Sequence, residues 1–167
     1  MRAASRALYR SRQFFGAVRP RVDAARRDEA FRLLSDAQRA LFATMTLRDQ
    51  QHCLAVYQRL RDQGENDADL LVAALLHDAG KGRLALWHRV AYVLLAAIAP
   101  HTLDRLSRPG DGPAWREALY RCRRHAALGA ELARAAGCSP LTVALIAEDA
   151  AASAGRLAAL HAADEAV

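Results

Sequence analysis

One stretch decides the fold: residues 67–81, which read DADLLVAALLHDAGK. Asp67 is a typical helix N-cap, and the residues after it are apolar nearly all round, which predicts a central buried helix. We expect this helix to end between His77 and Gly80, with Gly80 supplying the C-terminal break. His77 and Asp78 then form a polar pair at the end of a buried helix. Because burying a bare carboxylate is costly, a cationic side chain or a metal must satisfy this pair.

The sequence outside this stretch also favours helices. Alanine and leucine dominate, aromatic residues make up 6% of the chain, and only five prolines and nine glycines interrupt it. Because alanine and leucine are easily placed in a helix, the composition indicates an all-α domain. We find no convincing strand pattern and expect a single-domain helical bundle of eight or nine helices.

Local signals give the expected bounds of several helices. Ser35 or Asp36 opens a short helix, and residues 46–49 read as a capping box that starts the next one. Further helices are expected over seven ranges: 5–18, 21–34, 84–98, 114–121, 125–136, 139–153 and 156–167. This pattern places chain breaks between residues 121 and 125 and between residues 153 and 156.

The length and the cysteine content exclude several classes of protein. A chain of 167 residues with 53% hydrophobic residues can bury a core as one domain, and a disordered tail protein is excluded. The three cysteines include no C-x-x-C pair, so neither a disulfide framework nor a zinc ribbon is predicted, and a reducing cytoplasm suits the chain. The longest apolar run, residues 90–100, is about half the roughly 20 residues that a membrane span needs.

The positive charge is concentrated near the start of the chain. Residues 1–29 hold eight arginines against three acidic residues, which gives +5 of the net charge of +6. Such a segment could contact nucleic acid or an acidic membrane surface, or it could be a solvated arginine-rich helix. Nucleic acid is the weaker interpretation, because only Tyr9, Phe14 and Phe15 interleave aromatic rings with these arginines.

The pair formed by His77 and Asp78 suggests a metal site. Adjacent helical residues diverge by about 100°, so the two can chelate one ion only at a helix end, where they lie. Mixed nitrogen and oxygen ligands suit a borderline divalent ion such as Mn, Fe, Ni, Co or Zn. Two ligands are not enough for such an ion. His52, early in its helix, and Asp164, in the last helix, are the further donors that we expect.

These residues carry a resemblance to a known family. His52, the run AALLHDAGK at residues 73–81 and Asp164 resemble the HD domain superfamily, which is named for its His…His-Asp…Asp pattern. The segment that begins at His125 is similar to the stretch that these proteins carry after the HD motif. The resemblance covers residues 46–167, which we therefore expect to form an HD domain. Residues 1–45 are expected to form a helical, arginine-rich extension.

The resemblance implies a fold, a cofactor and an activity. It implies an all-helical bundle that binds one divalent ion (Mn, Fe, Ni, Co, Zn or Mg) and hydrolyses phosphate esters. The implied metal ligands are His52, His77, Asp78 and Asp164. Asp78 would also orient the attacking water, and Lys81 would hold a phosphate as a point charge or merely offset the helix dipole. Arg124 and His125 would contact the substrate from the rim of the cleft.

The sequence also departs from the family pattern. Glu148 and Asp149 stand where related proteins with two or three metals carry histidines. With His125, these carboxylates could form a second metal site, or they could be a solvated acidic edge. His161, one turn before Asp164, could reach the site or lie at the surface. The G-Y-P motif of cyclic-dinucleotide phosphodiesterases is absent, which argues against that activity.

Two functions therefore follow from the sequence. The first is a metal-dependent phosphohydrolase acting on a small phosphorylated compound such as a nucleotide. The second is a non-catalytic HD module whose metal or ligand pocket serves sensing or partner binding. Exposed faces of the helices near the start of the chain could support a homodimer.

Overall fold

The architecture is all-helical. The computed structural model describes residues 24–82, 84, 86–108 and 113–167, and within them there are nine α-helices and no strand. The helices are α1 (Ala24–Arg32), α2 (Asp36–Thr44), α3 (Leu47–Asp62), α4 (Ala68–Leu76), α5 (Leu86–Ile98), α6 (Pro100–Leu106), α7 (Ala114–Ala135), α8 (Pro140–Ile146) and α9 (Ala150–Glu165). A 3₁₀ turn, Ala79–Lys81, follows α4. The all-α prediction is confirmed, and the helix predicted at residues 5–18 lies outside the described residues.

Side-chain caps explain where four of the helices begin. In each, a hydroxyl or carboxylate oxygen accepts a hydrogen bond from the backbone N–H three residues on. The capping residues are Ser35, Thr46, Asp67 and Ser139. Each cap satisfies a backbone donor that the helix leaves unpaired, which stabilises a helix by about 1 kcal/mol. The caps predicted at Thr46 and Asp67 are therefore confirmed, and of the two residues expected to open the short helix Ser35 is the cap.

Helix α4 is the centre of the bundle. Every residue from Leu70 to Leu76 is buried, and the helix packs chiefly against α3 and α8. The described part of the predicted extension contributes to the same core, because Ala30, Leu34 and Phe42 are buried in one cluster with the residues of α4. A helix that is apolar on all sides must be surrounded by other elements, which fixes the position of the residues that follow it.

Gly80 does not end α4, contrary to the prediction from sequence. Helix α4 ends with His77 as its C-cap, and the left-handed residue that follows is Gly82, with φ +62°. Gly80 is needed for a different reason. A Cβ at this position would lie 2.0 Å from the carbonyl oxygen of His125 and 2.5 Å from the backbone nitrogen of Gly129. The turn after α4 therefore lies directly on the backbone of α7.

One predicted chain break is wrong. Residues 114–135 form one continuous helix, α7, because residues 121–125 contain neither glycine nor proline, and the helix ends before Gly137, whose φ is +75°. The helix predicted at 139–153 instead ends at Ile146, and α9 starts at Ala150; the break predicted after residue 153 is present as a kink with non-helical backbone at Ser153. Pro100, expected only to end a helix, also opens α6, where its fixed φ suits the first turn.

Helix α9 brings the last part of the chain to the end of α4. Its residues Leu157, Leu160 and Ala163 are buried, and the helix packs against α3 and α8. Asp164 follows Ala163 directly, so the docking of α9 fixes its position. Among the described residues, no helix combines the length and the apolar character that crossing a membrane requires.

Candidate metal centre

Three elements bring the predicted ligands together. His52 lies on α3, His77 and Asp78 follow α4, and Asp164 lies near the end of α9. Ligand atoms of His52, His77 and Asp78 all lie within 4.8 Å of one another, which makes this a group that could hold a metal ion. Within the described part of the chain it is the one group of three or more such side chains.

Asp164 completes the cluster. Its Oδ1 lies 2.7 Å from Nε2 of His52 and 3.5 Å from Nε2 of His77. Nε2 of His77 is also 3.5 Å from Oδ1 of Asp78. Neighbouring donors on one octahedral ion, bonded at about 2.1 Å, lie about 3 Å apart. The spacing of His52, His77 and Asp78 therefore suits a single divalent ion, and Asp164 borders this group through its contacts with the two histidines.

The ring of His77 is oriented as a metal ligand requires. Its Nδ1 lies 2.9 Å from the carbonyl oxygen of Ala74. A carbonyl only accepts, so the ring donates through Nδ1, and Nε2 is the ring nitrogen left to face the other ligands. Nε2 of His77 is a buried atom without a hydrogen bond. Buried polar atoms without a hydrogen bond are uncommon, so this nitrogen favours a ligand beside it.

Asp78 has a cationic partner. Its side chain is almost completely buried, and Nζ of Lys81 lies 2.6 Å from Oδ1 and 2.7 Å from Oδ2. Burial alone would raise the pKa of Asp78, but His77 and Lys81 beside it hold that pKa below its usual value. The carboxylate is therefore ionised at neutral pH.

The electrostatics of the remaining ligands point the same way. Burial alone would lower the pKa of His77, but its contacts with Cys53, Asp164 and Asp78 raise it well above the usual value. Burial alone would raise the pKa of Asp164, but its contacts with His52 and His77 hold it far below its usual range. Two ionised carboxylates thus face the imidazoles and favour a proton on His77, which a bound cation would replace.

A small cavity of about 60 Å³ adjoins the ligands. Besides His77, Asp78 and Asp164, its polar lining consists of Lys81, His125, Glu148 and His161. Two of the predicted substrate contacts, Lys81 and His125, are therefore at the cavity. Arg124 is exposed on α7 and is not among the lining residues. His161 and Glu148, whose positions the sequence left open, both reach the cavity.

The second metal site considered from the sequence has little support in this geometry. Asp149 accepts a hydrogen bond from the backbone of Ala151 and caps α9. Nδ1 of His125 lies 2.9 Å from the carbonyl oxygen of Cys122, so this nitrogen is also engaged. Of the residues that the structure describes, no second set of three potential ligands meets within 4.8 Å.

Two neighbours of the site were missed by the sequence analysis. Asp49, expected only as part of a cap, is buried and accepts bidentate hydrogen bonds of 2.8 and 2.6 Å from Arg89. Cys53 is fully buried with its Sγ 3.7 Å from Nδ1 of His77, and burial raises the pKa of its thiol. Helical spacing could have identified both residues as neighbours of the site. Asp49 lies about one helical turn before His52, and Cys53 is the residue after it.

Comparison of the chain with protein-family models, with curated proteins and with solved structures finds no match. The resemblance to the HD domain superfamily therefore depends on the motif residues themselves.

Proposed function

We propose that this protein is a metal-dependent phosphohydrolase of the HD domain type, which hydrolyses a phosphate ester of a small compound. The observation that carries the proposal is the meeting of four motif residues from three distant helices. One of their buried atoms, Nε2 of His77, lacks a hydrogen bond. Without a ligand function, such an atom would destabilise the fold for no gain.

The metal ligands in this proposal are His52, His77, Asp78 and Asp164. A divalent ion held there supplies Lewis acidity, which polarises a phosphoryl oxygen and lowers the pKa of a coordinated water. The protein orients its own donors for this task. Ala74 fixes the ring of His77, and Lys81 holds the carboxylate of Asp78.

Two cavity residues suit the binding of a phosphate. Nζ of Lys81 is cationic and lines the cavity while it pairs with Asp78. Because Nδ1 of His125 donates to Cys122, Nε2 is the atom that this ring offers to a substrate. An ammonium and an imidazole on one side of the cavity can bind the oxygens of a phosphoryl group and orient it.

The cavity volume restricts how a substrate enters. About 60 Å³ is the liquid volume of roughly two water molecules, whereas pockets for whole ligands measure roughly 300–1,000 Å³. A substrate would therefore place its phosphoryl group inside and keep the alcohol part outside. The same small volume favours the second candidate, a non-catalytic module that binds a metal or an anion for sensing or for partner binding.

Metal content tests the first step of the proposal. We expect elemental mass spectrometry of untagged protein to find about one divalent transition ion per chain in wild type and none in His77→Ala. His101→Ala is the matched control, because His101 is an exposed histidine on α6 and should retain the ion. A wild type that stays empty after incubation with Mn, Fe, Ni or Zn would contradict the proposal.

Turnover distinguishes the two candidates. Wild type loaded with metal should hydrolyse p-nitrophenyl phosphate or nucleoside monophosphates, and Asp78→Ala should abolish that activity. Tight binding of one ion with no hydrolysis of any phosphate ester would favour the non-catalytic module instead.

A further inference from the structure

Glu148 has an unusual backbone conformation. It is the one residue other than glycine with a positive φ, +60°, in the described part of the chain. It follows the end of α8, where its N–H donates to Leu145 and the next N–H donates to Ala144. This pair of hydrogen bonds defines a Schellman motif, in which glycine is the usual left-handed residue.

Two other helices end in the same way, but with glycine. Gly64 after α3 and Gly137 after α7 have φ values of +87° and +75° and make the same pair of hydrogen bonds. A left-handed conformation strains a residue with a Cβ, whereas glycine adopts it freely. Glu148 therefore reduces the stability of a turn that glycine would suit better.

The position of Glu148 next to the cavity distinguishes it from the two glycines. A Cβ at Gly64 or Gly137 would meet nothing within 4 Å, whereas Glu148, an exposed residue, is among those that line the cavity of the metal centre. Residues held in strained conformations are concentrated at functional sites, where the surrounding structure enforces them.

The carboxylate of Glu148 differs from the two others at this cavity. Asp78 pairs with Lys81, and Asp164 bonds to His52. Glu148 makes no side-chain hydrogen bond or ion pair with the other described residues, so its oxygens are available to a bound molecule. It is at the same cavity as His77, whose buried Nε2 lacks a hydrogen bond.

We propose that Glu148 is the carboxylate that accepts the proton of the attacking water, an inference that rests on the proposed function. As the water oxygen bonds to phosphorus, one of its protons passes to Glu148. The bond from phosphorus to the ester oxygen breaks, and its electron pair stays on that oxygen, which takes a proton from solvent. Glu148 then returns its proton to solvent, so that one water and one ester give one alcohol and one phosphate.

Three variants separate this role from a purely structural one. Glu148→Gly should raise the Tm by about 2–4 °C because it relieves the left-handed strain, whereas Gly137→Glu should lower it by a similar amount. Glu148→Gly and Glu148→Gln should lower kcat by about 10²–10⁴-fold with little change in KM. Gly137→Glu is the matched control and should keep the wild-type kcat. Added formate should restore part of the kcat of Glu148→Gly, because it can occupy the space of the missing carboxylate.

Calorimetric binding of inorganic phosphate in the presence of Mn²⁺ tests Glu148 without turnover. Removing a negative charge beside a bound anion should strengthen binding, so Glu148→Gln should bind phosphate several-fold more tightly than wild type. Unchanged phosphate binding, or a Glu148→Gly variant with full kcat, would overturn the inference. If Glu148→Gln strengthens phosphate binding but wild type hydrolyses no ester, the position of Glu148 beside the anion is supported and the hydrolytic function is contradicted.

Discussion

Gly80 shows how one missing side chain positions the site. The turn that carries Asp78 and Lys81 lies so close to α7 that a Cβ at residue 80 would be 2.0 Å from a carbonyl oxygen of that helix. Real Cβ atoms do not approach backbone atoms this closely, so any substitution must move the turn or α7. His77 and Asp78 lie just before Gly80 and Lys81 lies just after it, so the positions of their side chains depend on this contact.

We therefore expect Gly80→Ala to destabilise the protein by about 2–4 kcal/mol and to weaken metal binding. Urea unfolding of the metal-free protein measures the first effect, and Mn²⁺ titration measures the second. Gly155→Ala is the control, because a Cβ there meets nothing within 4 Å and alanine favours a helix. A Gly80→Ala variant as stable as wild type would show that α7 is free to shift.

Asp49 and Arg89 form an ion pair with a buried carboxylate near the site. Asp49 is 2% exposed, and the pair joins α3, which carries His52, to α5. Burial alone would lower the pKa of Arg89, but its hydrogen bonds with Asp49 raise it. Removing one partner would leave the other charge buried and uncompensated.

Arg89→Leu should accordingly reduce the free energy of unfolding by about 3–5 kcal/mol. The double variant Asp49→Leu/Arg89→Leu should recover much of this loss, since it leaves no isolated charge. A double-mutant cycle by chemical denaturation checks both values. Equal losses in the single and double variants would show that packing rather than charge determines the effect.

At the scale of elements, Asp67 connects the start of α4 to α9. Its Oδ1 accepts from the backbone N–H of Leu70, and its Oδ2 accepts from Arg156. The bond from Leu70 is the main cause that lowers the pKa of Asp67, and Arg156 adds to it against a smaller opposing effect of burial. A carboxyl group whose pKa is lower in the folded state stabilises the fold only where it is ionised.

The sign of the pH dependence follows directly. The contribution of Asp67 should be complete above the unfolded pKa, about 4, and should be lost as the pH falls through the lower folded pKa. Asn caps a helix about as well as Asp, so Asp67→Asn isolates the charge. We expect wild type to exceed Asp67→Asn by about 0.5–1 kcal/mol at pH 7 and by nothing near pH 2, measured by urea unfolding. A difference that does not change with pH would rule out this linkage.

Local chemistry determined which elements could be predicted. The caps at Ser35, Thr46 and Asp67 and the apolar run of α4 depend on near neighbours, and the sequence identified them. The break expected near residues 121–125 was wrong, because a run of arginines with a histidine does not interrupt a helix. The break expected after residue 153 matches the kink at Ser153, whose backbone is non-helical.

The features of the site that depend on a sequence pattern could also be predicted. Its four expected ligands stand in a recognisable pattern, and the structure brings them together. Other features depend on contacts between distant segments, which spacing along the chain does not reveal. These features are the pairing of Asp49 with Arg89, the close approach of Gly80 to α7 and the left-handed backbone of Glu148.

At the scale of the whole molecule, the cluster joins α3, α4 and α9. Anything that binds the folded state and not the unfolded chain stabilises the fold. Mn²⁺ at 100 times its Kd should therefore add about 2.7 kcal/mol, which raises the Tm of a chain of this length by about 5–10 °C. Differential scanning calorimetry with and without EDTA measures this shift.

His101→Ala should show the same shift as wild type, and His77→Ala should show none. Asp164→Asn should show a smaller shift, because the amide is a weaker ligand than the carboxylate. An equal shift in His77→Ala would place the bound ion somewhere else in the protein.

The contact between His52 and Asp164 spans 112 residues. Contacts of such long range close late, after the helices between them have formed and packed. The ligand set is therefore expected to be incomplete in the transition state for folding. A bound ion would then slow unfolding and leave the folding rate almost unchanged, so that its main effect on the protein would be a longer lifetime of the folded chain.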